Sequence, residues 1–217
     1  MDFIGPINPP SSGHHQYIPT TTDYCTRWTE AQSLKNCTTE IVIKFLEENI
    51  ITRFGCPHAF VCDNGPDFRS LKLSNWAFDY GITLNFSSNC YPKGNGLAES
   101  TNKNLLSAIK KLLDNNPRDW HTQLRFSLWA DRIRIKSSLG TSPYHLVYGQ
   151  DSVFPIQLRI PTLRFMQDFM EGEDRVQACL TQLLHLEEKR DEALEKFAKH
   201  QGVVKRWFDK MAKVKEF

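Results

Sequence analysis

Asp2, Asp63 and Glu99 are spaced along the first hundred residues in a way that suits metal-assisted chemistry on phosphodiesters. Transfer of a phosphodiester to water or to a sugar hydroxyl meets a large electrostatic barrier. Two divalent cations, roughly 3.5–4 Å apart, lower it by activating the nucleophile and stabilising the leaving oxygen. Mg²⁺ is hard and prefers carboxylate and water oxygens. Such a site therefore needs about three carboxylates that converge from separate elements. Asp2 lies in the first strand, and Asp63 directly follows the strand Ala59-Phe60-Val61-Cys62. Glu99 sits in the first turns of a helix opened by Gly94-Asn95-Gly96, and 35 residues lie between it and Asp63. Strand ends of α/β sheets are where ligands gather. Each residue also has a plainer reading. Asp-Asn-Gly is a tight turn, and a glutamate near a helix start answers the helix dipole. The joint spacing is what singles them out.

The elements that must position these groups are legible in the pattern. Residues 5–13 are rich in Gly, Pro and Ser and form a turn. Tyr17–Thr22 and Arg27–Ala31 read as strands around Asp23-Tyr24. Ile41, Val42, Phe45, Leu46, Ile50 and Phe54 recur at helical spacing after a Thr38 N-cap, and Gly55 and Pro57 stop that helix. A strand over His58–Cys62, a helix over Phe68–Tyr80 and a strand over Ile82–Phe86 follow. Further helices run from the glycine-rich loop to Leu113 and from Pro117 to Ile135. This order predicts an α/β fold with a mixed sheet. Residues 151–163 read as a linker holding Pro155 and Pro161. Beyond it, Val176, Leu180, Leu183, Leu194, Phe197, Val204, Phe208 and Met211 form a heptad-like stripe, expected as a long amphipathic helix or a helical hairpin.

Composition narrows the classes. The 217 residues are 40% hydrophobic and 24% charged, which suits a folded domain with an appendage. A formal net charge of +2 does not by itself argue for nucleic acid. None of the six cysteines forms a C-x-x-C pair, so reduced thiols are expected. No apolar run approaches the roughly 18 residues of a membrane span. Met1 leads straight into a strand, so the N-terminus reads as a cut edge. His14 and His15 read as surface residues in a turn, and His121 as a packing residue beside Trp120.

Several stretches together resemble one family. They are Met1-Asp2-Phe3-Ile4-Gly5-Pro6, Thr22-Asp23-Tyr24-Cys25-Thr26-Arg27-Trp28, Ile50-Ile51-Thr52-Arg53-Phe54-Gly55-Cys56-Pro57, Asp63-Asn64-Gly65 and Tyr91-Pro92-Lys93-Gly94-Asn95-Gly96-Leu97-Ala98-Glu99-Ser100. Gly140-Thr141-Ser142-Pro143 and Leu146-Val147-Tyr148-Gly149 complete the set. The chain resembles the integrase core of Gypsy-type LTR retrotransposons, close to the plant versions, and more distantly retroviral integrases. The resemblance is collinear over about residues 1–150. It implies an RNase H-like domain at 1–150, a mixed five-stranded sheet flanked by helices, and then a helical extension at 164–217. It implies Mg²⁺ or Mn²⁺ held by Asp2, Asp63 and Glu99, with Asp23 a turn residue rather than the first ligand. The implied reaction is DNA 3′-end processing followed by strand transfer. Expected nucleic-acid contacts are Lys103, Lys110, Asn64, Lys93 and Asn95. The implied partners are element-end and target DNA and further copies of the chain, in the nucleus or a retroelement particle and away from membranes.

The pattern is also broken in places. The family's second strand is apolar, whereas Tyr17-Ile18-Pro19-Thr20-Thr21-Thr22 carries a proline and three threonines. Proline removes a ladder hydrogen bond and is rare in a central strand. Asp131 stands where the family has an aromatic, and Lys93 where it has glutamine. The family's upstream zinc region is absent, and its C-terminal barrel would begin where the chain stops. Two readings therefore stand side by side: a competent DNA-joining core, and a catalytically silent relic that at most binds nucleic acid or a partner.

Overall fold

Alternation along two short strands decides what the central sheet can hold. Strand β1 (Asp2–Ile4) pairs antiparallel with β2 (Ile18–Thr22), setting Asp2 opposite Thr20 and Ile4 opposite Ile18. Side chains two apart share a face. Asp2, Ile4, Ile18 and Thr20 therefore form one row on one side, and Phe3 points to the other. Strand β3 (Thr29–Ala31) pairs antiparallel with β2. Strands β4 (Ala59–Cys62) and β5 (Thr83–Phe86) form a parallel pair. The expected five strands are present, laddered as three and two rather than as one continuous sheet. The Met1 nitrogen donates to the Val61 carbonyl and sets the start of β1 beside β4.

The computed structural model describes residues 1–63, 65, 68–87, 96–113, 116–152 and 172–211, except the side chains of 172–176, 178, 179, 182, 183 and 208–211. The chain divides into two compact units, Met1–Asp131 and Arg132–Phe217.

In the first unit, helices α1 (Thr39–Leu46) and α3 (Leu71–Asp79) cover one face. Val42, Phe45, Leu46, Leu73, Trp76 and Ala77 pack there with Phe60, Cys62 and Phe68. Helices α4 (Gly96–Leu112) and α5 (Trp120–Ile133) cover the other, where Leu105, Ile109, Leu124 and Leu128 meet Ile4 and Ile18. The helix expected to run unbroken to Phe54 does not. A π-turn at Glu47–Ile51 separates α1 from the short α2 (Thr52–Phe54). The Asn49 amide and the Thr52 hydroxyl donate to the carbonyls four residues back, Phe45 and Glu48, and compete with the regular ladder. Helix α3 begins later than the expected Phe68, because the Ser70 hydroxyl caps it by accepting from the Leu73 N–H at 3.2 Å. Phe68 instead lies in the preceding turn, buried and stacked on Phe3 at 4.8 Å between centroids. His15, expected at the surface, is half-buried against His121 and bonded to Ser11.

Pro19 fits where it stands. Its register partner is Phe3 on one side. The ladder to β3 begins only at Thr20, and the next contact back is the Tyr17↔Leu34 bridge. Pro19 thus falls in an interval where the ladder to β3 is already interrupted. Asp131 is half-buried near the end of α5.

The second unit is built on α6 (Pro143–Tyr148) and α7 (Gly172–Met211). Ser142 caps α6, Pro143 fills its first position, and Gly149 ends it in the left-handed region at φ 74°. Helix α7 is a single helix of 40 residues and not a hairpin. Its buried residues include Leu186, which packs beside Gly149, and Ala193 and Phe197, which join Leu139 and Leu146. Leu180 and Leu194, expected in the apolar stripe, are exposed. Residues 153–171, with most of the expected linker, lie outside the described residues. No helix among the described residues is long and apolar enough to cross a membrane.

Two substitutions separate these effects. Leu46→Ala, at a fully buried position, should cost about 2–5 kcal/mol in urea unfolding. Pro19→Val should change stability by less than about 1 kcal/mol, because no sheet hydrogen bond depends on that nitrogen. A large gain from Pro19→Val would mean that the proline does interrupt the sheet.

Candidate active site

The end of the Asp2–Thr20 row is polar, and α4 meets it with Asn102. The Asp2 carboxylate accepts from the Phe3 N–H through Oδ1 at 2.8 Å and from Asn102 Nδ2 through Oδ2 at 2.9 Å. Thr20 Oγ1 donates toward Asn102 Oδ1 at 2.8 Å and lies 3.2 Å from the Asp2 carbonyl. Asp63 follows the carboxyl end of β4, and its Oδ1 accepts from the Gly65 N–H at 3.0 Å in a tight turn. A Cβ on Gly65 would stand 3.0 Å from that same oxygen, so the turn suits glycine there. Phe68 stacks on Phe3 of β1.

These contacts bring two carboxylates together. Burial pushes the Asp2 carboxyl above its ordinary value of 3.8, and the adjacent Asp63 carboxylate pushes it further. The Phe3 N–H pulls the other way. Among the described residues, no lysine or arginine forms a salt bridge with either carboxylate. The neighbouring Cys62 is buried, and burial pushes its thiol up to about 11, so it stays protonated and is no nucleophile. The donor set is thus hard oxygen, its negative charge offset in part by the Met1 ammonium beside it, and it fits Mg²⁺ or Mn²⁺.

The other expected site residues fall as follows. Glu99 is exposed in the first turn of α4, three residues before Asn102. Among the described residues no three His, Cys, Asp or Glu side chains converge, so Glu99 does not join the aspartate pair. Lys103 and Lys110 are exposed on α4. Asn64, Lys93 and Asn95 lie outside the described residues. Asp23 is a turn residue: its Oδ2 accepts from the Thr26 N–H at 2.7 Å and from the Thr26 hydroxyl at 2.6 Å. Asn102 was not legible as a site residue, and Thr20 looked like a blemish in a strand. The only sequence signal for Asn102 was its place one turn after Glu99.

Five strands, an antiparallel three and a parallel two, with helices packed on them and acidic groups at strand ends make up an RNase H-like fold. Residues 1–92 match the family model described as Integrase core domain. The chain is 30% identical over 155 residues to the Pro-Pol polyprotein of Simian foamy virus type 1, covering 71% of this chain and 13% of that protein. It is 32% identical over 136 residues to the Pol polyprotein of Radiation murine leukemia virus (strain Kaplan), covering 62% of this chain and 23% of that protein. The chain thus spans less than a quarter of the length of these relatives. Its fold matches a chain of the simian T-cell lymphotropic virus intasome, solved in complex with PP2A regulatory subunit B56 gamma. The TM-score is 0.57 at 20% identity, over 71% of this chain and 58% of that one. Over residues 1–92 this chain thus carries an integrase core domain of the retroviral integrase superfamily.

The like-charge pair has a measurable signature. Folded Asp2 holds its proton more tightly than unfolded Asp2. Its contribution to stability should therefore fall as pH rises from 3.8 through the raised folded value, and be fully lost above it. Asp2→Asn should remove that falling limb and, without divalent cations at pH 7, raise stability by roughly 1 kcal/mol. Urea unfolding at several pH values reads both. An Asp2→Asn protein that is less stable at pH 7 would contradict the repulsion.

Proposed function

We propose that this chain is the catalytic core of a retroelement integrase, acting at residues 1–150 on element-end and target DNA. The observation that carries the reading is the pair of half-buried carboxylates, Asp2 and Asp63, held side by side with no described lysine or arginine paired to either. In this reading Asp2 and Asp63 hold Mg²⁺ or Mn²⁺, and Glu99 is the third ligand. When bound, the metal ions activate a water or hydroxyl for attack on phosphorus and stabilise the oxygen that leaves. Water first trims the element's end. The freed 3′-hydroxyl then attacks a phosphodiester of the target, and one P–O bond forms as another breaks.

The chain's own groups bind and orient. The Gly65 N–H and the Asp63 turn aim one carboxylate, and the Phe3 N–H aims the other. Bringing a third carboxylate to two that already repel costs Coulomb energy, which a divalent cation offsets. Glu99 therefore closes on the pair when metal and DNA are present. Lys103 and Lys110, seven residues apart on the exposed side of α4, meet the DNA backbone, and Asn64, Lys93 and Asn95 contact DNA beside the site. The residues beyond the core form the helical extension at 164–217. Work as a multimer, in the nucleus or a retroelement particle, belongs to the same reading.

The second reading, a silent relic, is favoured by the position of Glu99 outside the aspartate pair. A disintegration assay on branched DNA with Mn²⁺ separates the two. The wild type should join DNA, and Asp63→Asn and Glu99→Gln should each lose at least about 100-fold of that rate. Circular dichroism should show all three folded. A folded wild type that joins nothing and gains no thermal stability from Mn²⁺ would establish the relic.

A further inference from the structure

We propose that Thr20 and Asn102 form a buried positioning relay that fixes the orientation of the Asp2 carboxylate. Its consequence for metal binding rests on the integrase reading above; the relay itself rests on geometry.

The strand alternation creates the need for it. The row Ile4, Ile18, Asp2 and Thr20 faces α4. Its apolar half is answered by Leu105 and Ile109, and its polar half lies against Asn102. Thr20 is 1% exposed and Asn102 7%, so both must find partners within the protein. They find them in a chain. The Thr20 hydroxyl donates to Asn102 Oδ1, and Asn102 Nδ2 donates to Asp2 Oδ2.

This chain gives the amide a direction. A primary amide has a donor end and an acceptor end of nearly equal shape. An ionised carboxylate accepts only. A reversed amide would set Asn102 Oδ1 against Asp2 Oδ2, two acceptors in contact, and the Thr20 hydroxyl holds Oδ1 away from that arrangement. The Phe3 N–H occupies Asp2 Oδ1. Two donors from different directions thus hold the plane of the carboxylate, while each oxygen keeps further lone-pair capacity. The same bond docks α4, the helix that carries Glu99, onto β1.

Valine would keep the shape and strand preference of Thr20 and remove only the hydroxyl. Thr20 therefore acts in the relay by its hydroxyl. Thr20 and Asn102 touch no reacting atom, and they act through Asp2. Groups that orient a metal ligand typically change metal affinity about 10–100-fold when removed.

The test uses the whole chain and two readouts. NMR hydrogen exchange of the Asn102 side-chain amide reports the relay without metal, with the exposed Asn104 as internal reference. Mn²⁺ affinity, from water-proton relaxation, reports its consequence. In wild type and Thr20→Ser, the Asn102 amide should exchange at least about 10-fold more slowly than that of Asn104. In Thr20→Val and in Asp2→Ala, which leaves α4 and β2 unaltered, that protection should be lost. Thr20→Val should also weaken Mn²⁺ binding about 10-fold, and Thr20→Ser should restore it. Protection of Asn102 unchanged in both Thr20→Val and Asp2→Ala overturns the relay. If Thr20→Val does not fold, Asp2→Ala against Thr20→Ser decides the matter. If the wild type binds no Mn²⁺, the integrase reading fails, and amide exchange alone still decides the relay.

Discussion

Two carboxylates side by side repel, and a fold that keeps them so must hold them by other means. Asp2 and Asp63 are held by the strands beneath them. The Met1–Val61 hydrogen bond aligns the start of β1 with β4, so Asp2, one residue past Met1, and Asp63, two residues past Val61, come to the same edge. Backbone donors then aim the two groups, Phe3 N–H for one and Gly65 N–H for the other. Burial first, and then the Asp63 carboxylate beside it, push the Asp2 carboxyl above its ordinary value. Stability given up at such a place is a usual companion of function, because a site matched to a cation is mismatched to itself without one.

The packing around the pair serves the same constraint. One face of the sheet is closed by Phe45, Leu46, Phe68 and Trp76, and the other by Leu105, Ile109 and Leu124. The apolar contact is interrupted at the end of the β1–β2 row, where Thr20, Asn102 and Asp2 satisfy one another. A buried polar network is costly when partly satisfied and specific when complete. Here hydrogen bonds engage both ends of the Asn102 amide. Glu30 follows the same logic at the β3 edge: it is buried, yet accepts from Trp28 Nε1 at 2.8 Å and from Arg53 Nη1 at 2.7 Å.

The second unit depends on helix ends. Ser142, Pro143 and Gly149 define a helix of six residues, too short to stand without tertiary support. The support comes from α7. The Arg190 Nε donates to the Leu146 carbonyl at 3.0 Å near the end of α6, and Leu186 packs beside Gly149. These contacts select Leu186, Ala193 and Phe197 as the inward stripe and leave Leu180 and Leu194 in solvent. A heptad count alone cannot choose among several overlapping apolar rows, because the choice belongs to the partner surface.

Local physics was legible in the chain. Residue pattern marked the strands, helical spacing marked α1, the glycine-rich opening marked α4, and Asp63 at a strand end followed from Ala59–Cys62 and the Asn-Gly turn. The Ser-Pro…Gly signals of α6 were present in the sequence but unread, although they are ordinary cap chemistry. Other features had no local signal. Asn102 meets Asp2 across 100 residues of sequence, and nothing near either residue records the meeting. Phe68 looked helical until the Ser70 cap and the Phe3 ring claimed the turn. Pro19 looked disruptive because a strand read alone does not say where its neighbour's ladder is broken. The sequence by itself determined which segments would be strands and helices, since propensity, period and capping act within a few residues. Only the tertiary structure decided which polar groups face one another, since hydrogen bonds and charges act through space between segments that the chain keeps far apart.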